Sequence, residues 1–270
     1  MTMDHRRREL APISEDAWKA IDAEAARALR HFLAARKVVD FSGPHGWEHS
    51  ADVIGRVERI EGPVEGVDAG VRSVQPLVEL RTPFPLSRAD LDDIERGRTD
   101  ADLSAVVEAA RRAAMAEDHM VFHGFKAGGI MGMTELSPHR RLEIADDYTR
   151  YPGTVAQAVD ILRSAGIDGP YAAVLGPRCY TGVIETTEYG GYPVLEHIHL
   201  ILGGPVIWGP AVDGAVVISQ RGDDFSLSCG QDLSIGYATA DGSSVQLYLE
   251  ESIGFRVVTP EAAVALVYAG

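Results

Sequence analysis

The stretch "EHSADVIGRVERIEGPVEGVDAGVRSVQPLVELRT", residues 48–82, decides how the rest of the chain is read. It mixes valine, charge and glycine without the three- and four-residue apolar period of a helix. It reads as two or three extended segments with a Gly/Pro tip near Gly62–Gly70. A long ribbon of this kind has little to bury its own face against, and an isolated two-stranded hairpin is marginal in water. The arm therefore calls for a neighbour, such as another subunit, to cover it.

On the N-terminal side of this arm, residues 14–37 carry Trp18, Ile21, Ala25, Leu29, Phe32 and Leu33 at helical steps. Ser14 is a fair N-cap, Glu15 and Asp16 suit the first turn, and Arg36 and Lys37 suit the last. The stretch "DFSGPHGW" (40–47) then breaks the pattern. On the C-terminal side, Ser87 and Asp90 stand in capping-box spacing, Leu91 and Ile94 form a stripe, and Gly97 ends it. A longer helix is predicted over 102–122, with Val106, Ala110, Ala113 and Met120 on one face. Residues 126–150 read as irregular, 154–165 as a helix stopped by Gly166, and "GPYAAVLG" (169–176) as a short buried strand. Pro193 opens another helix that ends at Gly203-Gly204. From Val206 onward the pattern is mostly strand, with a hairpin turn at Asp241-Gly242. Helices and strands interleave without a regular βαβ period, so the class is α+β.

The bulk properties narrow the function. The chain has 270 residues, enough for one large domain or two small ones, and 46% are hydrophobic, enough for a substantial core. No run approaches a membrane span, and "MTMDHRRRELAP" lacks the apolar region of a secretory signal. Cys179 and Cys229 cannot make a disulfide scaffold, so a cytoplasmic protein with reduced thiols is expected. A net charge of -15 argues against a general nucleic-acid binder. The basic run His5-Arg6-Arg7-Arg8 is expected to be a solvated tail.

No constellation of catalytic residues emerges. His119 and His123 share a helix face, but Met120 stands where a metalloprotease needs its glutamate. His197 and His199 fall on a predicted helix, where they diverge. In "GQDLSIGYA" (230–238), Ser234 lacks the first glycine and the strand-turn-helix setting of a nucleophile elbow. Asp223-Asp224 and Asp232 sit in Gly-rich turns, where acids are usually turn-formers. No phosphate-binding loop occurs. No catalytic, cofactor or metal site is expected, and the balance leans toward a structural or binding role.

Several stretches taken together resemble the encapsulin shell proteins, once described as linocin-type bacteriocins. They are "RELAPISEDAWKAIDAEA" (8–25), "ARKVVDFSGPHGWE" (35–48), "PLVELRTPFPLSRADLDDIERG" (76–97), "AEDHMVFHG" (116–124), "GIDGPYAAVLGPRCY" (166–180), "GGYPVLEHI" (190–198) and "RGDDFSLSCGQDLSIGYA" (221–238). They occur in the family's order, and the type is the single-domain, cargo-loading class. The resemblance implies the tailed-phage major-capsid-protein fold, with a P domain, an A domain and an extended E-loop. By this likeness residues 1–47 are an N-terminal helix and arm belonging to the P domain, and 48–80 are the E-loop. Residues 81–149 are P domain with the spine helix, 150–223 the A domain, and 224–270 P-domain strands and the C-terminus.

The resemblance implies an icosahedral homo-oligomer, most simply of sixty subunits. It would enclose a cargo enzyme, a dye-decolourising peroxidase or a ferritin-like iron oxidase, with roles in oxidative stress or iron storage. The cargo's C-terminal targeting peptide would dock on Leu29, Phe32, Leu33, Arg36, Val38, Asp40, Asp232 and Ile235. Asp40 and Asp232 would pair with basic residues of the peptide. Glu188, Tyr189, Gly190, Gly191 and Tyr192 would line a fivefold pore that admits small ions. Some relatives stack flavin on a tryptophan where this chain has Ala89, so flavin binding is not expected. Two competing readings remain: a serine or metal-dependent protease using Ser234, His119 or His123, and a prophage capsid protein.

Overall fold

The structure is a computed structural model and describes residues 4–188 and 190–268. An N-terminal segment leads into α1 (Glu15–Phe32), whose Ser14 hydroxyl accepts from Ala17 N. A single 3-10 turn, Ala35–Lys37, follows, then β1 (Asp40–Ser42). The ribbon is β2 (Ala51–Ile60) and β3 (Ala69–Pro76), and Leu77 alone separates it from β4 (Val78–Ser87). Next come α2 (Arg88–Glu95), α3 (Ser104–His123), the single turn α4 (Met133–Leu136) and β5 (Leu142–Ile144). They are followed by α5 (Tyr151–Ser164), β6 (Tyr171–Leu175), α6 (Pro177–Glu185), α7 (Val194–Leu202) and β7 (Val206–Trp208). The last strands are β8 (Ala215–Ser219), β9 (Phe225–Cys229), β10 (Ser234–Ala240), β11 (Ser244–Val257) and β12 (Ala263–Tyr268).

Two cores result. In one, Ile21, Ala25 and Leu29 of α1 and Val106, Ala110 and Ala113 of α3 pack on Phe84, Ile235, Leu247 and Leu249 of the strands. The long strand β11 organises this layer. One of its edges pairs with β4 from Ser244 to Ile253, and the other pairs first with β10 and then with β9. In the other core, five strands in the order β5-β12-β8-β6-β7 are packed by α5 and α7. Its central strands β6 and β8 are buried along their whole length, which suits the apolar run "YAAVL" and the four apolar residues that open "AVVIS". The helix α3 joins the cores. Its first half feeds one, while Met120, Val121 and Phe122 feed the other. It stops at Gly124, at φ 87°, where a Cβ would lie 2.6 Å from Gly132 N.

The ribbon stands apart from both cores. β2 and β3 form a sheet of their own, with Val53 opposite Val74. Val53 is 77% exposed and Val57 61%, and Ile60, Val64, Val67, Val71 and Val74 are exposed as well.

Several expectations need correction. The helix predicted to run to residue 37 ends at Phe32, because Asp118 accepts from Ala34 N and Ala35 N and pulls the chain into the 3-10 turn. The helix α5 begins at Tyr151 rather than 154, with Pro152 in its first turn. The segment 126–150 contains α4 and β5. Pro193 caps α7 from outside. The turn at Asp241 is held by its carboxylate, which accepts from Ser243 N and Ser244 N at 2.7 Å, and not by a positive φ at Gly242. Those bonds pull Asp241 down to about 2. The basic run 5–8 is not a free tail. His5 stacks on Trp47, Arg8 pairs with Asp22 and lies over Trp18, and Tyr237 N donates to Arg6 O.

Candidate functional site

The residues gathered at the end of α1 build a polar cluster around one guanidinium. Arg36, in the 3-10 turn, donates from Nε and Nη2 to Glu117 of α3 at 2.8 and 2.6 Å. Its Nη1 donates to Asp232 at 2.8 Å, and Nη2 also reaches Glu251 of β11 at 3.2 Å. Its guanidinium lies 4.7 Å from the Phe41 ring centroid. Glu117 and Glu251 are fully buried, whereas Asp232 keeps 41% of its side chain exposed. Burial works against the Arg36 charge, but hydrogen bonds and charge from Glu117, then Asp232 and Glu251, outweigh it and hold Arg36 above its usual value. Burial, with the adjacent Glu117, holds Glu251 well above the ordinary carboxylate range.

Among the proposed dock residues, Leu29, Leu33 and Ile235 are buried in the same core as α1 and α3. Phe32 is half-buried at the end of α1, beside His31 and Trp208. Arg36 and Asp232 meet directly. Val38 and Asp40 lie elsewhere, in a small cleft of about 200 Å³ shared with Lys37, Gln220 and Phe225. Asp40 is exposed, and its Oδ2 accepts from Asp223 N at 2.6 Å. The solvent-facing chemistry at this end of the molecule is therefore one aromatic ring and acidic oxygens, with a cation already engaged beneath.

The loop from Thr187 to Pro193 is pinched by a bridge between those two residues. Glu188 N donates to Tyr192 O, and Glu188 Oε1 lies 2.9 Å from His197 Nδ1 on α7. Gly190 and Gly191 sit at φ 95° and 81°, a region other residues rarely adopt, with open space around both. Tyr189, expected to line the same loop, lies outside the described residues.

The other candidates are placed as follows. The His119 and His123 rings are 5.1 Å apart, His123 Nε2 contacts Ala211 O, and burial lowers the His123 pKa. His199 contacts Gly204 O, away from the Glu188–His197 pair. Among the described residues, no group of three or more His, Cys, Asp or Glu side chains is arranged to hold a metal ion. The Ser234 hydroxyl accepts from Gln231 Nε2 at 3.3 Å. Cys179 and Cys229 are buried free thiols, and burial pushes Cys229 up to about 12. Ala89 is an exposed residue in the first turn of α2. Among the described residues, no helix is long and apolar enough to cross a membrane.

Glu117 and Glu251 were absent from the sequence reading, yet a signal exists. Each is an acid inside an apolar pattern, in "AAMAEDHMVF" on α3 and "LYLEESIGF" on β11. An acid at a core position implies a buried partner.

Comparison with known proteins matches this geometry to one group. Residues 3–254 match a protein family described as the encapsulating protein for peroxidase. A type 1 encapsulin shell protein of Rhodospirillum rubrum is 52% identical, covering 98% of this chain and 96% of its own. A virus-like particle from Pyrococcus furiosus superposes with a TM-score of 0.67 at 18% identity, over 92% of this chain and 98% of the other. The capsid of an empty GTA particle superposes with a TM-score of 0.53 at 15% identity, over 87% and 89%. The α+β fold is that of the tailed-phage capsid proteins.

Proposed function

The chain belongs to the encapsulin shell proteins, which form capsid-like nanocompartments, and from that premise we propose a specific shell, cargo dock and pore. The shell is icosahedral, most simply of sixty copies, one per asymmetric unit. It works in the cytoplasm and acts by confinement rather than by catalysis. The observation that carries the assembly reading is the ribbon β2–β3, whose exposed valines have no cover among the described residues. So many exposed apolar side chains on one arm mark an interface.

The enclosed cargo is a dye-decolourising peroxidase or a ferritin-like iron oxidase carrying a C-terminal targeting peptide. The peptide lies at the end of α1 and across β10. Phe32 supplies an apolar contact, and Asp40 and Asp232 face its basic residues. Leu29, Leu33 and Ile235 support the wall from beneath, which suits their burial, and Val38 lines the neighbouring cleft that holds Asp40. Arg36 holds Asp232 in place and is itself fully engaged. Many such weak contacts on one wall add through effective concentration. Glu188, Tyr189, Gly190, Gly191 and Tyr192 form the rim of a fivefold pore for small ions, with Glu188 attracting cations.

The test has two arms. Negative-stain microscopy of the purified protein shows uniform hollow spheres, and a monomer at every concentration refutes the shell. Co-expression of Phe32→Ser/Asp232→Ala with a tagged cargo gives intact but empty shells. Full cargo retention by those shells refutes the dock.

A further inference from the structure

Arg36 is one cation set among three carboxylates, and two of the three are out of reach of water. Glu117 uses both oxygens on the guanidinium, at 2.8 and 2.6 Å. Glu251 offers Oε2 to the same Nη2 at the longer distance of 3.2 Å, and its Oε1 meets no donor among the described residues. Two ionised carboxylates buried side by side with a single guanidinium between three acids would leave an uncompensated charge in the core. A carboxyl oxygen without a donor is costly as an anion. It is at ease on a neutral acid whose O–H donates to the neighbouring carboxylate.

We propose that Glu117 and Glu251 share one proton and act as positioning residues for the peptide dock, through Arg36 to Asp232. The proposal deepens the dock reading and rests on it for its functional meaning. Glu251 carries the proton at neutral pH, Glu117 remains the anion that grips Nε and Nη2, and Nη1 is left free to hold Asp232 at the surface. When the pair loses its proton, the second buried anion competes for Arg36. The grip on Asp232 and on the 3-10 turn then loosens.

The surroundings set the sign. From the turn and β1 come Arg36, Lys37 and the Phe41 ring. From α3 come Glu117 and Asp118, the latter bound to Ala34 N and Ala35 N. From β9, β10 and β11 come Cys229, the acid Asp232 just before β10, and Glu251. Arg36 and the more distant Lys37 are the only cations in this group, facing four acids, so the cluster favours retaining a proton. Burial and the Glu117 charge point the same way for Glu251.

Infrared spectroscopy of the assembled full-length shell at neutral pH should show a protonated-carboxyl band. Glu251→Gln should remove its Glu251 component, and Asp118→Asn serves as the control for the other buried acid. In parallel, the protection factors of amides 34–41, in which the intrinsic base-catalysed rise of exchange with pH is divided out, should fall severalfold as the band titrates away with rising pH. In Glu251→Gln, whose amide can still donate to Glu117, the protection factors should stay high and flat across that range. A band insensitive to Glu251→Gln, or the same pH profile in variant and wild type, overturns the proposal. Glu117→Gln provides a second variant if Glu251→Gln does not assemble. A fluorescein-labelled peptide of alternating leucine and glycine ending in lysine tests the dock separately. Failure of that peptide to bind, with the proton signature intact, sinks the dock reading and leaves the shared proton standing.

Discussion

His5 lies flat on Trp47, with ring centroids 3.8 Å apart and 16° between the planes, and its Nε2 is 3.0 Å from the buried Glu250 Oε1. Glu250 also receives Arg81 at 2.7 Å, and Arg81 lies over Tyr248. The N-terminal segment thereby ties β4, β11 and the approach to the ribbon together. It also covers part of the β10 edge, where Tyr237 N donates to Arg6 O at 2.8 Å. A stacked aromatic pair contributes about 0.5–1.5 kcal/mol. His5→Ala should therefore cost about 1 kcal/mol and speed exchange of the Tyr237 amide, whereas His5→Phe should keep most of the stack. Unchanged Tyr237 exchange in His5→Ala would show that the segment is held by other contacts.

Asp118 links acidity to stability. Burial raises it to about 7, against the pull of the backbone bonds from Ala35 and Ala34. The native state then holds a proton that the unfolded chain releases near its ordinary value of 3.8. Between those values the native state binds more protons, so stability falls as pH rises and levels off above about 7. Asp118→Asn should lack this decline, so the wild-type advantage in denaturation midpoint should fall between pH 3.8 and about 7 and stay flat on either side of that window. Asp118→Ala should cost about 1–3 kcal/mol at any pH, because two buried N–H groups lose their acceptor. Parallel wild-type and Asp118→Asn curves from pH 4 to 8 would contradict the assignment.

The loop proposed to line a pore yields a transport prediction. Glu188 is the acid of the loop, and its Oε1 is within 2.9 Å of His197. Glu188→Gln should leave shell size unchanged on microscopy and slow entry of a luminescent lanthanide ion into the lumen by about tenfold, the scale of local electrostatic focusing. Equal entry rates for both shells would remove Glu188 from the path.

Much of the fold was legible because its signals are local. Ser14 caps α1 as its sequence position implied, and Ser87 caps α2. Phe225, Leu227 and Cys229 alternate along the sequence, and the structure places all three, buried, on one strand. What failed to show was non-local. The end of α1 is set by Asp118, more than eighty residues away, and no periodicity near Phe32 announces it. The helix α6 was missed because "PRCYTGVIE" has β-branched residues and a glycine in place of good helix formers. There, packing overrides propensity, and Tyr148 fills the space over Gly182. The candidate site was half legible. Arg36 and Asp232 were named from resemblance, while Glu117 and Glu251, which hold Arg36 in place, were concealed in apolar runs. In "GQDLSIGYA" (230–238), residues 230–233 are the bend between β9 and β10, and Ser234 opens β10 rather than standing on a nucleophile elbow. There Gly230 N donates to Ser252 O and Ser252 N to Gln231 O, and Asp232 turns outward to Arg36.

The ribbon carries the sharpest prediction about assembly. Val53 and Val57 are exposed, so replacing them barely changes the isolated subunit, within about 0.5 kcal/mol for surface positions. In a shell each valine would be covered, and covering such a side chain contributes about 1.5–3 kcal/mol when burial is complete. A closed shell repeats that contact in every copy, so a modest loss per contact becomes decisive for assembly. Val53→Asp/Val57→Asp should therefore give a folded subunit with wild-type circular dichroism and denaturation midpoint that elutes as a small species under light scattering. Val53→Ile/Val57→Ile should still assemble. Hollow spheres of wild-type size from the aspartate variant would mean that the ribbon's valines are not an assembly surface. The apolar interface would then have to be sought elsewhere on the molecule.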